Sequence, residues 1–403
     1  MRRRTRSNAP NPRLGFTMIE LLVVIVILGM LVGLLVPAVM RAVSTAKDAA
    51  VAAEIRAMGQ ALADFKSKYG EYPPSRIIVS ENGDYSSVTF PVTSPPTPAT
   101  QLVPRTLSYF RRFWPRMQFN TSGAAGAASG LTATNFYDIN GNGNIDSPYV
   151  LTGPECLVLF LGGVAQSASG GQGWSVIGFS KNPTNPFQNS VMSSNRTVPL
   201  FEFTGSRLVG NTRNPSTSGS FPGYVDTMGS PRELRLYCYF SAYGGAGYDP
   251  DDVNFDESNS SENFSPIKGG FKASNAATPS TYPPVGNLIS SPAPNPYTTD
   301  PPVPTNGTGN SSGAAKSPAW QNALTYQIIS AGNDGLFGIG GQYLANGNER
   351  LPFVDGSGAY TANSLQTWQA NVDVTSQPIA SIGTDVRARE KDNVTNFSPG
   401  KLD

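Results

Sequence analysis

Twenty consecutive residues, Leu21 to Met40, carry no charge and no strongly polar side chain. As a helix, at about 1.5 Å per residue, such a run is about 30 Å long and matches the hydrocarbon core of a bilayer. A secretory signal peptide has an apolar core of roughly 7–15 residues followed by a small-residue cleavage site. This run is longer, and the following "RAVSTAKDAAVAAEIRAMG" continues with helical character. A plain signal anchor suits the length. It also suits the charge, because Arg2, Arg3, Arg4, Arg6 and Arg13 precede the run with no acid among the first 15 residues. That bias places the N-terminus in the cytoplasm and the bulk of the chain outside it. A plain anchor does not explain Glu20 at the edge of the run, since a carboxylate at bilayer depth costs several kcal/mol (about 3 or more).

The stretch Gly15-Phe16-Thr17-Met18-Ile19-Glu20 resembles the type IV prepilin cleavage and methylation signal. In that family a short basic leader ends in Gly, a membrane peptidase cuts after it, and the new N-terminal residue is N-methylated. The resemblance implies cleavage between Gly15 and Phe16, with Glu20 as the fifth residue of the mature chain. The resulting amine on Phe16 and the carboxylate of Glu20 each need a partner in a low-dielectric fibre core. Glu20 of one subunit pairing with Phe16 of its neighbour would set the axial register of assembly. Pro37 falls at mature position 22, where members of the family commonly carry a helix-kinking proline.

The helix is expected to continue beyond the apolar run. Val51, Ile55, Met58, Leu62, Phe65 and Tyr69 are spaced 4, 3, 4, 3 and 4 apart, with Glu54, Arg56, Asp64 and Lys66 off the stripe. Gly70 and Pro73-Pro74 then stop it. A helix over residues 16–70 follows, transmembrane in its first half and presenting a stripe to a head in its second.

From Glu71 the pattern changes. The chain holds 42 Gly and 34 Pro, and charged residues make up 14% against the roughly 25% usual in soluble domains. Short runs bounded by turn residues, "ECLVLFLGG", "WSVIGF", "PLFEF", "ELRLYCYFSAY" and "LTYQIISAG", read as strands. "VTFPVTSPPTPAT" reads as a proline-rich connection, and residues 275–320, dense in Pro, Ser, Thr, Asn and Gly, as an extended excursion. The expected organisation is a leader over 1–15, the helix over 16–70 and one head over 71–403. The fold class is α+β, a long helix packed on an antiparallel, loop-rich, pilin-like head.

Composition also limits the chemistry. There is no histidine, which removes the commonest general base and the usual zinc ligands. Outside the leader, 24 basic side chains face 28 acidic ones, so no nucleic-acid partner is expected. Gly-rich "SAYGGAGYD" lacks the Lys-Ser/Thr of a phosphate loop. Cys156 and Cys238 both lie in apolar contexts, and either a Cys156–Cys238 disulfide or two buried thiols on separate strands fits the sequence.

Two segments invite a metal. "DINGNGNID" places Asp138, Asn140, Asn142, Asn144 and Asp146 at alternate positions with Gly143 sixth, as in the first nine positions of an EF-hand or dockerin-type calcium loop. Its twelfth position is Tyr149 and not an acid, so an Asn/Gly-rich turn held by local bonds stands beside calcium as a reading. The second segment, "IISAGNDGLFGIGG", and the later "EKDNVTNFS" together resemble the C-terminal part of the major, G-type pseudopilin of type II secretion. Ser330, Gly332, Asp334 and Gly335 match its Ser-x-Gly-x-Asp-Gly element. Asp392, Asn393, Val394, Asn396 and Phe397 match its closing element, with Asn393 replacing an acid and Phe397 a Trp. The resemblance implies a calcium-holding loop, with one carboxylate fewer than usual.

The function implied is structural: a pseudopilin of the inner membrane, crossing once, with its head in the periplasm. Prepilin peptidase would process and N-methylate it. It would then polymerise as a homo-oligomeric fibre with other pseudopilins on an inner-membrane assembly platform for protein secretion. Two alternatives stand beside it. One is a minor type IV or DNA-uptake pilin. The other, of a different class, is a membrane-tethered adhesin or carbohydrate-active head, which the absence of histidine and of a paired-acid motif disfavours. No enzymatic activity is expected.

Overall fold

The protein is described from a computed structural model. It covers residues 17–86, 102–121, 126–146, 148–167, 173–189, 193–210, 221–228, 235–242, 247–248, 295–300, 319–333, 335, 337, 340–342, 391–398 and 400–402. The chain divides into two compact units, residues 1–47 and 48–403.

Helix α1 runs from Met18 to Tyr69 and matches the predicted span within two residues. Its start is fixed by a reciprocal cap. Thr17 donates from its backbone N and its Oγ1 to Glu20 Oε2, each at 2.8 Å, while Glu20 N reaches Thr17 Oγ1 at 3.3 Å. The helix passes through Pro37, whose ring nitrogen has no proton to give to the preceding turn. Up to Lys47 the side chains of α1 are largely exposed. From Asp48 onward one face is buried: Val51, Ile55, Met58, Leu62 and Phe65 are all in the core, and Tyr69 packs against it. The predicted stripe is therefore the seam between helix and head.

The head surrounds that seam with short elements. Strand β1 (Ile77–Val79) follows the Pro73-Pro74 stop, and helix α2 (Leu102–Phe113) comes next. Strand β2 (Tyr149–Leu151) pairs antiparallel with β1, with Ile78 opposite Val150. Helix α3 (Gly153–Gly162) leads to a hairpin of β3 (Ala165–Ser167) and β4 (Trp174–Val176). A second antiparallel pair is β5 (Leu208–Gly210) with β6 (Pro222–Tyr224). β7 (Cys238–Ser241), β8 (Asn295–Asp300), β9 (Ala319–Trp320), β10 (Tyr326–Ser330), β11 (Gly340–Gln342) and β12 (Val394–Thr395) complete the described strands. They form two small sheets, an antiparallel one in the order β12-β10-β7 and a mixed one in the order β11-β8-β9. The fold class is α+β with small, mainly antiparallel sheets, as expected.

Several local expectations are corrected. "ECLVLFLGG", predicted as a strand, is helix α3, and all ten of its residues are buried. A continuous apolar run has no period to separate a buried strand from a buried helix. The start signal decides it: Thr152 donates from N (2.8 Å) and Oγ1 (3.0 Å) to Glu155 Oε2, with Pro154 in the first turn. Gly153 lies so close to the backbone of Tyr239 that a Cβ there would strike its carbonyl oxygen, which seats α3 against β7. "PLFEF" forms no strand and "WSVIGF" supplies only β4. Helix α2, which directly follows the proline-rich connection, was not anticipated. A proline in the first turn costs no helix bond, and Leu102, Leu107, Phe110 and Phe113 line its buried face. Within 275–320, predicted as one irregular excursion, Asn295–Asp300 and Ala319–Trp320 are paired strands. The whole of the proline-rich connection Val88–Thr100 lies outside the described residues.

The cysteines are present as two buried thiols, and no disulfide joins them. Cys156 is on a helix and not a strand, and its Sγ lies 3.6 Å from the carbonyl of Leu151. Alternation along β7 sends Tyr239 into the cluster that holds Cys156 and sends Cys238 to the opposite face, into a separate cluster with Phe240, Tyr297 and Ile329. The sheet itself keeps the two sulfurs apart.

Candidate functional site

Gly15 and Phe16, the predicted cleavage pair, lie outside the described residues. Thr17 and Glu20 are among the described residues, and the carboxylate expected to await a neighbour's amine is occupied within its own helix as the acid of the Thr17 cap. The stretch from Met18 through Val43 exposes its large apolar side chains almost throughout, among them Leu34 and Met40. α1 has length and composition sufficient to cross a membrane.

The sequence pattern missed the residue that fastens the head to α1. Glu54, expected off the buried stripe, is drawn into the head. Arg207 approaches it end-on with Nη1 to Oε1 at 2.7 Å and Nη2 to Oε2 at 2.6 Å. Tyr224 Oη donates to Oε1 at 3.1 Å and Tyr237 Oη to Oε2 at 2.5 Å. Arg207 also lies 4.2 Å from the centre of the Tyr224 ring and donates to the carbonyl of Val225. Six residues earlier, Asp48 receives Lys401 at 3.0 Å and the Asn333 amide at 3.3 Å. These partners lie 153 or more residues further along the chain, beyond the reach of any periodicity.

The loop Asp138–Asp146 is held by bonds among its own side chains and backbone. Asp138 Oδ2 accepts from the backbone N of Gly143 at 3.1 Å and from the Asn189 amide at 3.3 Å. Gly143 holds a left-handed φ of 75°, the turn that brings the loop back over Asp138. Asn142 N donates to Asn140 Oδ1 (3.2 Å) and Asn144 N to Asn142 Oδ1 (2.7 Å). The Asn140 and Asn142 amides both donate to Asp146 Oδ2, at 2.7 and 2.8 Å. Glu81, fully buried beyond β1, adds a third carboxylate. It accepts from Asp146 N at 2.8 Å and from Tyr149 Oη at 3.1 Å. Burial, offset in part by the Asp146 amide and reinforced by the charges of Asp146 and Asp138, pushes Glu81 up to about 7. Burial likewise raises Asp138, against the loop amides that favour its charged form.

The two C-terminal segments meet through the pairing of β10 with β12. β10 pairs with β12, setting Ser330 opposite Val394, and Asn396 bridges to Ile328 N (2.9 Å) and the Tyr326 carbonyl (3.1 Å). Asn333 N donates to Asp392 Oδ2 at 2.6 Å, and Ser330 Oγ to Asp226 Oδ2 at 2.7 Å. Asn393 is buried and turns its amide toward the Phe337 carbonyl (2.8 Å) and Tyr297 Oη (3.0 Å), while Phe397 packs on Tyr297. Arg235 donates to the carbonyls of Asn333 (3.0 Å) and Gly332 (3.4 Å). A positive side chain thus faces two carbonyls of this loop. Asp334 lies outside the described residues. Among the described residues, no three acidic or sulfur side chains gather closely enough to hold a metal by themselves.

The family model for the prokaryotic N-terminal methylation motif matches residues 10–36. No curated protein and no solved structure matches the chain. The chain therefore carries a type IV pilin-like signal directly ahead of a long apolar helix. The motif implies processing by prepilin peptidase and assembly into a pilus-like fibre, and with the helix it marks a membrane-anchored subunit.

Proposed function

We propose that this pilin-like chain is a structural subunit of a type II secretion-like pseudopilus, with its N-terminus toward the cytoplasm, its head in the periplasm and no catalytic role. The observation that carries the pilin-like part is the methylation motif over residues 10–36, in register with the start of α1. The secretion part rests on the C-terminal resemblance, supported by the pairing of Ser330 with Val394 and the contact of Asn333 with Asp392. In this reading Glu20 exchanges its intrahelical cap for the Phe16 amine of a neighbouring subunit, and the exposed half of α1 becomes fibre core. The Glu54 and Asp48 contacts transmit load from that helix to the head.

Intact-mass analysis of protein extracted from membranes tests the first part. Loss of residues 1–15 with one added methyl on Phe16 is expected, and an intact leader, or cleavage after Ala42 or later, would overturn the assignment. Deleting the gene tests the second part. Loss of exported folded proteins from the medium supports the secretion role, whereas normal export with lost surface pili or DNA uptake would place the subunit in a type IV pilus.

A further inference from the structure

Asp138 is 95% buried, yet only one of its two carboxylate oxygens is used by the protein. Oδ2 takes the Gly143 and Asn189 donors, while Oδ1 is buried with no hydrogen-bond partner. An ionised oxygen withdrawn from water and left without a donor is costly, and native structures rarely leave one so. The same place holds two further buried carboxylates, Asp146 and Glu81. No lysine or arginine among the described residues forms an ion pair with any of the three. Asp138 and Asp146 thus lie in the loop with no cationic side chain paired to them, and Glu81 is tied to the loop through the backbone of Asp146, although the three carboxylates do not by themselves converge on one point.

The ligand types narrow the choice of cation. The loop offers oxygen alone: carboxylates from Asp138 and Asp146, side-chain carbonyls from Asn140 and Asn142, and the main chain around Asn144. Hard, oxygen-only sets in an adaptable loop suit Ca²⁺, which takes six to eight ligands, better than Mg²⁺, which demands a strict octahedron. Glu81 is the buried acid that lies beside the loop's twelfth position. Glu81 accepts from the hydroxyl of Tyr149, the residue at that position, and from the backbone of Asp146. The Asn140 and Asn142 amides converge on Asp146 Oδ2 while their oxygens accept from the backbone N of Asn142 and Asn144, so ligation by those oxygens requires the side chains to swing and give up these bonds.

We propose that the loop Asp138–Asp146, completed by Glu81 from the turn after β1, is a calcium site of the head. It is separate from the C-terminal loop and does not depend on the fibre reading. Its ligation ties the β1 turn, the loop and the Asn189 segment into one unit.

The test uses the full-length processed protein in detergent, stripped with chelator and then titrated with Ca²⁺ or Mg²⁺ alone. Tb³⁺ luminescence excited through Tyr137 and Tyr149 reports occupancy of the same place. Saturating Ca²⁺ should raise the unfolding midpoint by about 5 °C or more. Equal Mg²⁺ should give less than a third of that, and Ca²⁺ should quench the Tb³⁺ signal. Asp138→Asn should weaken the Ca²⁺ response at least tenfold. Asn142→Ala, at an exposed position, serves if Asp138→Asn does not fold. No Ca²⁺ shift in the unaltered protein overturns the proposal. So does a response that survives both variants, or one removed by Asp392→Asn and not by them.

Discussion

Replacing Glu54 by Gln should cost far more than an ordinary surface ion pair. The substitution keeps the shape of the side chain but removes its charge and turns one of its two oxygens into a donor. Four donors converge on the two oxygens of Glu54: Nη1 and Nη2 of Arg207, Oη of Tyr224 and Oη of Tyr237. At least one of them would then face another donor. An exposed pair contributes about 0–1 kcal/mol, and breaking a buried one costs about 3–5 kcal/mol because the partner charge is stranded. The side chains of Arg207 and Glu54 retain 20% and 14% exposure, and Arg207 keeps its bond to Val225, so the cost should fall to about 2–4 kcal/mol. With a urea slope of about 3 kcal/mol/M for a head of this size, the midpoint should drop by about 1 M. Tryptophan fluorescence of the detergent-solubilised processed protein reads this out. A cycle with Arg207→Met should give a coupling of about 1.5 kcal/mol or more. A loss below about 0.5 kcal/mol for Glu54→Gln, or a coupling near zero, would show that the head is held to α1 by its apolar stripe alone.

Phe65→Ala should be the most damaging single truncation on the helix, by about 3–5 kcal/mol. Phe65 is fully buried, with ring centroids 5.2 Å from Phe113 and 5.7 Å from Phe160, and a midpoint change equivalent to under 1 kcal/mol would contradict that packing. Glu20→Val should leave cleavage intact by mass but reduce recovery in sheared fibres by tenfold or more; normal recovery would remove the electrostatic register. Alkali should unfold the head cooperatively. Burial holds Tyr237 and Tyr239 well above the ordinary phenol value of 10.0, with Glu54 adding to the effect at Tyr237. The unfolded chain therefore loses these protons first, and stability present below pH 10 declines as pH rises beyond it. A stepwise rise in tyrosinate absorbance that coincides with loss of near-UV circular dichroism is expected. A smooth titration of all 16 tyrosines near pH 10 with the fold intact would refute it. Both thiols should resist an aromatic disulfide reagent in the native protein and react on denaturation, whereas a single mass two protons lighter would reveal a disulfide.

What the sequence disclosed followed from local periodicity. The stripe Val51 to Phe65 needs no knowledge of its partners, because a 3.6-residue period alone sets one face. The internal bonds of the loop at Asp138 run between residues two to six positions apart, whereas its ties to Asn189 and Glu81 span 51 and 65. Where the period vanishes, as in Glu155 to Gly163, helix and strand were confused, although Thr152 and Glu155 carried the deciding cap three residues apart. The short strands were read too long because each pairs over only two to six residues before a turn intervenes.

The partners that complete each site were not legible, and the reason is the same in each case. Glu54, Glu81 and Arg235 stand in ordinary local contexts, and their roles arise from residues 153, 65 and 98 positions away. Glu20 shows the opposite situation. Its local bond to Thr17 is fully explained by the Thr-x-x-Glu spacing, and that same bond competes with the partner the fibre would provide. Weakening the cap should therefore separate the two roles. In Thr17→Val the first turn of α1 loses the hydroxyl bonds, and the Glu20 carboxylate is left with the backbone N of residue 17. If Glu20 must leave its cap to receive a neighbour's Phe16 amine, this variant should assemble at least as well as the unaltered chain. Assembly that falls together with the cap would mean that Glu20 serves the fibre by ordering its own helix start and not by pairing across subunits.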